Sequence, residues 1–487
     1  MTYFLAIDQS TSATKALLFD AVGNLLDKES REHEQHYPQP GWVEHDAEEI
    51  WQNTLLTLQA LLARHAEVNI ASLSITNQRE TIVVFDRDSG RPLHPAIVWQ
   101  CRRSVALCEE HTKHEELIQA RTGLRLDAYF SASKIQWLIR HHPELKAKLE
   151  TGEALIGTMD CYLIYRLTGG AIFATDYTNA CRTLLFDIDR LRWDEELCAL
   201  FEVPVQALPE VRESSAQFGE ATLAERTLPI CGVMGDSQAA LFAQRCFAPG
   251  SAKVTFGTGS SILLNIGAEL QSPPPGVVTT LAWVLNGTPT YAFEGIIISS
   301  AATLAWLRDQ LGVLHDFAEI EPLARELPDN EGVYLVPAFM GLGLPHWQPS
   351  ARAAIVGLSA QSDRRHVVRA GLESIAYQLR DAIDAMRKDN EIPLHRLHGD
   401  GGATTNQLLM QFTADLIGVP LNVATMSDCS PLGAMFSGML GLNVRRSLDE
   451  LAALPQTDVV YQPVMAAEQS ERFYAGWQRA VRQTLCA

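Results

Sequence analysis

Apolar residues fall in short runs along the first part of the chain. Phe4-Leu5-Ala6-Ile7 ends on Asp8, Ala16-Leu17-Leu18-Phe19 follows, and Asp20-Ala21-Val22-Gly23-Asn24 turns into a third strand, which predicts a three-stranded meander. Residues 47–64 change period: Ile50, Trp51, Leu55, Leu58 and Leu62 recur at helical spacing, and residues 70–75 return to a strand. That strand ends in Thr76-Asn77-Gln78-Arg79-Glu80-Thr81, and one beginning at Ala96 ends in Trp99-Gln100-Cys101-Arg102-Arg103. Both set polar groups just past an apolar run. From Leu228 an apolar run without helical period, broken by Gly232 and Gly235, leads into a helix predicted over residues 237–244, so Asp236 sits at a strand-to-helix corner. Residues 254–265 repeat the strand, hydroxyl turn, strand pattern of residues 4–19. Farther on, residues 397–403 read as a strand entering a glycine turn, 406–418 as a helix, and 473–485 as a final amphipathic helix.

At 487 residues the chain is too long for one core and predicts two or three domains, for which 47% hydrophobic content is sufficient. The formal net charge of −19 disfavours nucleic acid or an anionic membrane as partner, so any phosphate site must be built locally. The nine cysteines show no CxxC pair or metal-ligand spacing and read as free thiols in a reducing cytoplasm. No basic segment with a cleavage site precedes Asp8, and no apolar run reaches about 18 residues, so no membrane insertion is expected.

Two stretches carry candidate chemistry. Ligands of α/β proteins bind at corners such as the one holding Asp236, which reads equally as a catalytic base or as a helix cap. Gln9-Ser10-Thr11-Ser12-Ala13-Thr14-Lys15 is a tight hydroxyl-rich turn whose backbone N–H groups could cradle a phosphate, with Asp8 beside it able to hold magnesium through water. A polar hairpin loop is the alternative. No GxxxxGK[ST] sequence occurs.

Taken together, Pro40-Gly41-Trp42-Val43-Glu44-His45-Asp46, the stretches 75–81 and 96–103, Asp176-Tyr177-Thr178-Asn179-Ala180, Val336-Pro337-Ala338-Phe339 and Gly401-Gly402-Ala403 resemble the FGGY carbohydrate kinase family, most closely its glycerol kinase branch. Residues 129–138 fit that family's first signature, and 353–373 follow the second apart from Gly371. The resemblance implies an α/β fold of two actin-like (ribonuclease H-like) domains, 1–246 and 247–487, each with a five-stranded core sheet, flanking an ATP and substrate cleft. It further implies Asp236 as catalytic base and Arg79, Glu80, Trp99 and Tyr129 around a polyol or sugar. Thr11, Ser12, Lys15 and Thr258 would lie on the phosphates of ATP, Asp8 on Mg2+, and Ala301, Gly402 and Asn406 by the adenosine. A homodimer or homotetramer is implied by the same analogy.

The departures from that branch matter too. Ser237 stands where a glycerol-binding glutamine is expected and Ser261 where a phenylalanine wall is expected, which predicts a roomier, wetter pocket suited to a four- or five-carbon polyol or ketose. Ser10 replaces a glycine, Lys15 an arginine, and Ala301 and Ala305 a glycine and a glutamine; Lys15 keeps the charge but loses the bidentate fork. The short loop 221–226 lacks the glycine-rich insertion tied to fructose bisphosphate control, and the phosphorylated histidine of some relatives is missing, so neither control is expected. Readings from other classes are an actin-like ATPase and a catalytically weak sugar-binding sensor.

Overall fold

The computed structural model describes residues 2–223, 226–348, 350–388, 392–426 and 428–486. Two sheets organise it. The first runs in the order Gln217–Leu223, Arg226–Gly235, Asn69–Asn77, Thr2–Gln9, Ala13–Asp20, Leu25–Glu32. Thr2–Gln9 pairs antiparallel with Ala13–Asp20 on one side and parallel with Asn69–Asn77 on the other, and Arg226–Gly235 continues the parallel set. The second sheet repeats this plan from Ser251–Phe256, antiparallel to Ser260–Gly267 on one side and parallel to Arg396–Asp400 and then Leu421–Ala424 on the other. Each expected five-stranded core is extended, to six strands in the first sheet and seven in the second. The two hydroxyl turns, at residues 10–12 and 257–259, therefore occupy equivalent places, each linking the first and second strand of its sheet.

Apolar runs without alternation arise because both faces of the first sheet are covered. Leu5 and Ile7 pack with Ile50 and Leu58 of the helix Ala47–Arg64, while Phe4 and Ala6 point the other way into a core shared with the second sheet, among Leu263, Trp283, Met435 and Phe436. The helix Cys429–Gly441 crosses from the second domain to lie on the helix Asp236–Ala243 and the strand Arg226–Gly235. Glycines permit that approach. A Cβ at Gly433 would lie 1.8 Å from Ala239 O, and one at Gly232, whose φ is +89°, would lie 2.1 Å from Ala434 O.

Some expected boundaries move. The strand predicted over 70–75 runs on to Asn77, because Thr76 and Asn77 still pair with Asp8 and Gln9. The strand from Ala96 ends at Ile97, since the Cys101 N–H turns back to Val98 O at 2.9 Å. The last helix begins at Ala467, and the helix after the apolar run begins at Asp236 itself. Ala224 and Glu225 of the short loop lie outside the described residues. Eight cysteines are buried and Cys486 is exposed, all as free thiols. Among the described residues no helix is long and apolar enough to cross a membrane.

The crossing helix gives a stability test. Gly433→Ala should destabilise the protein by about 1–3 kcal/mol, since backbone must move to admit the methyl group. Gly402→Ala, where a Cβ would meet nothing within 4 Å, should stay within about 0.5 kcal/mol of wild type in the same urea unfolding experiment.

Candidate active site

Asp236 opens the helix Asp236–Ala243, whose N-cap is Gly235, so the carboxylate is not the capping group. Its Oδ1 accepts the Ser237 backbone N–H at 2.6 Å and lies 3.2 Å from Arg79 Nε, yet the side chain remains 42% exposed. Two donors thus fix the group while it stays open to a ligand.

Arg79 is held on several sides. Its Nη2 donates to Glu294 Oε1 at 2.7 Å and its Nη1 to Gln238 Oε1 at 3.0 Å. Glu80 adopts φ 60°, a left-handed conformation that costs energy outside glycine and is held here by the Ser131 hydroxyl donating to Glu80 O at 3.1 Å. Its carboxylate accepts from Arg182 Nε at 2.7 Å, and Arg182 Nη1 pairs with Glu294 Oε2 at 2.6 Å. Burial pushes the Glu80 carboxyl up, against the pull of Arg79 and Arg182. Burial would do the same to Glu294, but Arg182 and Arg79 outweigh it and hold that carboxyl at about 2. Arg182 and Glu294 are residues that sequence reasoning missed. The one available signal was Glu294 itself, a lone acid inside the apolar strand Thr288–Ile297.

The aromatic floor comes from Trp99 and Tyr129, whose rings meet edge to face at 5.4 Å. Trp99 is half-buried, and its Nε1 donates to Thr11 Oγ1 at 3.0 Å, tying the floor to the first hydroxyl turn. Burial pushes the Tyr129 phenol up. Behind it, the fully buried Lys134 donates to the carbonyls of Tyr129 and, at 2.9 Å, of Phe130, and burial lowers its ammonium to about 7. Ser237 Oγ and Ser261 Oγ stand 3.5 Å apart, and Ser261 Oγ donates to Glu294 Oε1 at 3.5 Å.

One cavity of about 470 Å3 is lined by Thr11, Arg79, Glu80, Trp99, Tyr129, Asp236, Ser237 and Ser261, together with Lys253, Gly257, Gly259 and Glu294. Asp8, Ser12, Lys15, Thr258, Ala301, Gly402 and Asn406 do not line it. Asp8 and Lys15 flank the first turn: Lys15 Nζ lies 3.2 Å from Asp8 Oδ2 and 2.9 Å from Asp428 Oδ1. Burial raises the Asp8 carboxyl, with Lys15 pulling the other way. Burial would lower the Lys15 ammonium, but Asp8 and Asp428 outweigh it and raise it. The second turn is stapled to the helix Ala301–Asp309, where the Ala301 N–H donates to Gly257 O and the Ala302 N–H to Thr258 O, each at 3.1 Å. Gly402 presents an open face, whereas Asn406 caps the helix Gln407–Ile417 by accepting the Leu409 N–H at 2.9 Å. Among the described residues no cluster of three or more His, Cys, Asp or Glu side chains could hold a metal ion alone.

Residues 3–243 match the model of the FGGY family of carbohydrate kinases, N-terminal domain, and residues 252–442 that of its C-terminal domain. The chain belongs to the FGGY family of carbohydrate kinases. It is an ATP-dependent carbohydrate kinase with the family's two-domain, actin-like fold. Among relatives, it is 46% identical over 491 residues to a glycerol kinase of Desulfitobacterium hafniense, covering 99% of each chain. It is 44% identical over 491 residues to glycerol kinase 2 of Thermotoga maritima, covering 100% of this chain and 99% of the other. The crystal structure of Plasmodium falciparum glycerol kinase with ADP superposes with a TM-score of 0.95 at 37% identity, covering 100% of this chain and 98% of that one. A ligand-bound xylulose kinase from Lactobacillus acidophilus gives a TM-score of 0.89 at 20% identity over 100% of this chain and 99% of the other, which shows the shared FGGY fold.

The buried charge cluster predicts a pH signature. Glu294→Gln leaves Arg79 and Arg182 short of a carboxylate and should cost about 3–5 kcal/mol at neutral pH. Because the Glu294 pKa is depressed on folding, its contribution is present above its ordinary 4.5 and is lost as pH falls through about 2. Urea unfolding across that range should show the gap between wild type and variant closing toward acid; a gap that widened instead would contradict the charge assignment.

Proposed function

We propose that this chain catalyses ATP-dependent phosphorylation of a hydroxyl of glycerol or a closely related polyol, with residues 1–246 holding acceptor and phosphates and 247–487 holding the nucleotide. The observation that carries this reading is the single cavity bringing the Asp236 carboxylate, Arg79, Glu80 and the Gly257 and Gly259 backbone together, in a chain whose full-length relatives are named glycerol kinase.

Phosphoryl transfer needs an acceptor oxygen in line with the γ-phosphorus, cover for the phosphate charge, and a base. Asp236 takes the acceptor proton, a contribution of about 10²–10⁴ in rate. Arg79 donates to the other acceptor hydroxyls, Glu80 accepts from them and Tyr129 does either. Trp99 packs on the carbon chain. Thr11, Ser12, Lys15 and Thr258 surround the phosphates, for which Lys15 exchanges one of its carboxylate partners, while Ala301, Gly402 and Asn406 approach the adenosine. Asp8 would hold magnesium through its hard carboxylate oxygens. When bound, the ion supplies charge neutralisation on those phosphates. A cytoplasmic setting belongs to the same reading and is supported by the free thiols.

A second acceptor has its own support. Ser237 and Ser261 meet across the cavity as two short hydroxyl side chains, and that pair leaves room and polar contacts for a fourth or fifth carbon.

ADP release from magnesium ATP in a coupled assay, across glycerol, dihydroxyacetone, tetritols, pentitols and pentuloses, separates these outcomes. Glycerol having the highest kcat/KM supports the first acceptor. A preference of about tenfold or more for a longer one supports the second, in which case Ser237→Gln with Ser261→Phe should raise glycerol kcat/KM. Asp236→Asn should lower kcat by about 10²–10⁴, and acceptor-dependent turnover insensitive to that change would reject the proposed base.

A further inference from the structure

The mechanism above leaves one buried cation in the cavity without a task. Two cations line that cavity, Arg79 and Lys253. Arg79 is committed, paired with Glu294 at 2.7 Å, Asp236 at 3.2 Å and Glu80 at 3.9 Å. Lys253, only 1% exposed, forms no ion pair among the described residues. Its Nζ donates to the neutral Thr255 Oγ1 at 2.9 Å. An ammonium carries three donors, so that bond leaves two. A buried charge held by one neutral hydroxyl is costly unless a ligand completes its surroundings.

Its place in the fold says which ligand. Lys253 and Thr255 lie on one face of the strand Ser251–Phe256, which runs directly into the Gly257-Thr258-Gly259 turn. Thr255 stands in register with Ser261, at the acceptor end of the cavity. The helix carrying Asp236 packs on this strand, and Ala240, one turn beyond Asp236, lines the same cavity. Lys253 therefore belongs to the cavity wall that also carries the proposed base and the turn proposed to hold phosphate. Burial lowers its pKa, while the carboxylates of Asp400 and Asp236 favour the charged form.

We propose that Lys253 is a catalytic residue that donates its free N–H groups to the nonbridging oxygens of the phosphoryl group in flight. This rests on the reading of the cavity as the phosphoryl-transfer site. In the step, the acceptor oxygen forms a bond to the γ-phosphorus as the bond from that phosphorus to the ADP oxygen breaks, its electron pair leaving with ADP. The acceptor proton passes to Asp236, and Lys253 keeps its own protons throughout, meeting the charge that spreads over the equatorial oxygens.

The test uses the full chain with its best acceptor from the panel, comparing wild type, Lys253→Met and Lys253→Arg. Lys253→Met should lose about 10²–10³ in kcat, with ADP and acceptor affinities, read by Trp fluorescence, within about threefold of wild type. The affinity for ADP plus aluminium fluoride with acceptor should fall by the same factor as kcat, and Lys253→Arg should recover part of both. If Lys253→Met fails to fold, Lys253→Gln, which can keep the bond to Thr255 without the charge, is read by the same criteria. A folded neutral variant whose kcat stays within about fivefold of wild type, or whose ADP affinity drops as far as its affinity for the aluminium fluoride complex, overturns the proposal. Wild type without acceptor-dependent ADP release would instead remove the kinase reading on which it rests.

Discussion

Four buried charges hold this cleft together. Arg79, Glu80 and Arg182 come from the first domain and Glu294 from the second, and all four are buried. Ions in a protein interior are tolerable only when they meet one another in good geometry, because each has forfeited its hydration. The pairing therefore constrains both domains at once, since Glu294 satisfies Arg79 and Arg182 only if the second sheet is seated against the first. Asp236 is the fifth, partly exposed member, attached through Arg79. Its position is thus tied to the docking of the two halves.

Close backbone packing supports that seat. The crossing helix Cys429–Gly441 comes so near the strand and helix around Asp236 that Gly232 and Gly433 have no space for a side chain. Phe4, Trp283 and Phe436 fill the volume beside it. Apolar packing sets the distance between the domains and the charge cluster selects their relative register. Neither alone would do both, because apolar contact is nondirectional while buried ions without packing would stay wet.

The cavity and the first hydroxyl turn are linked through particular bonds. Trp99, which lines the cavity, donates to Thr11 in the first hydroxyl turn, and Lys15 at the end of that turn reaches Asp428 in the second domain. Both turns occupy the same place in their respective sheets, a consequence of the repeated strand order. One turn from each domain meets the same cavity, which Asp236 also lines from the end of the strand Arg226–Gly235.

The sequence by itself determined a good deal. Short apolar runs, glycine punctuation and hydroxyl turns located the strands on either side of both turns, the helix Ala47–Arg64 and the corner at Asp236, because these depend on local periodicity and backbone preference. Motif resemblance reached the family and grouped Arg79, Glu80, Trp99, Tyr129 and Asp236, which the structure brings into one cavity. Only the tertiary structure decided what surrounds them. Arg182 and Glu294 lie more than fifty residues from Asp236 along the chain and Lys253 on the strand after its helix, and their chemistry comes from burial around one cavity, which no local pattern encodes. It also settled that Asn406 caps a helix while Asp236 does not, and that Ser237 and Ser261 meet across the cavity. Those outcomes follow from the docking of two sheets against each other, a long-range event whose energy is spread over many apolar side chains.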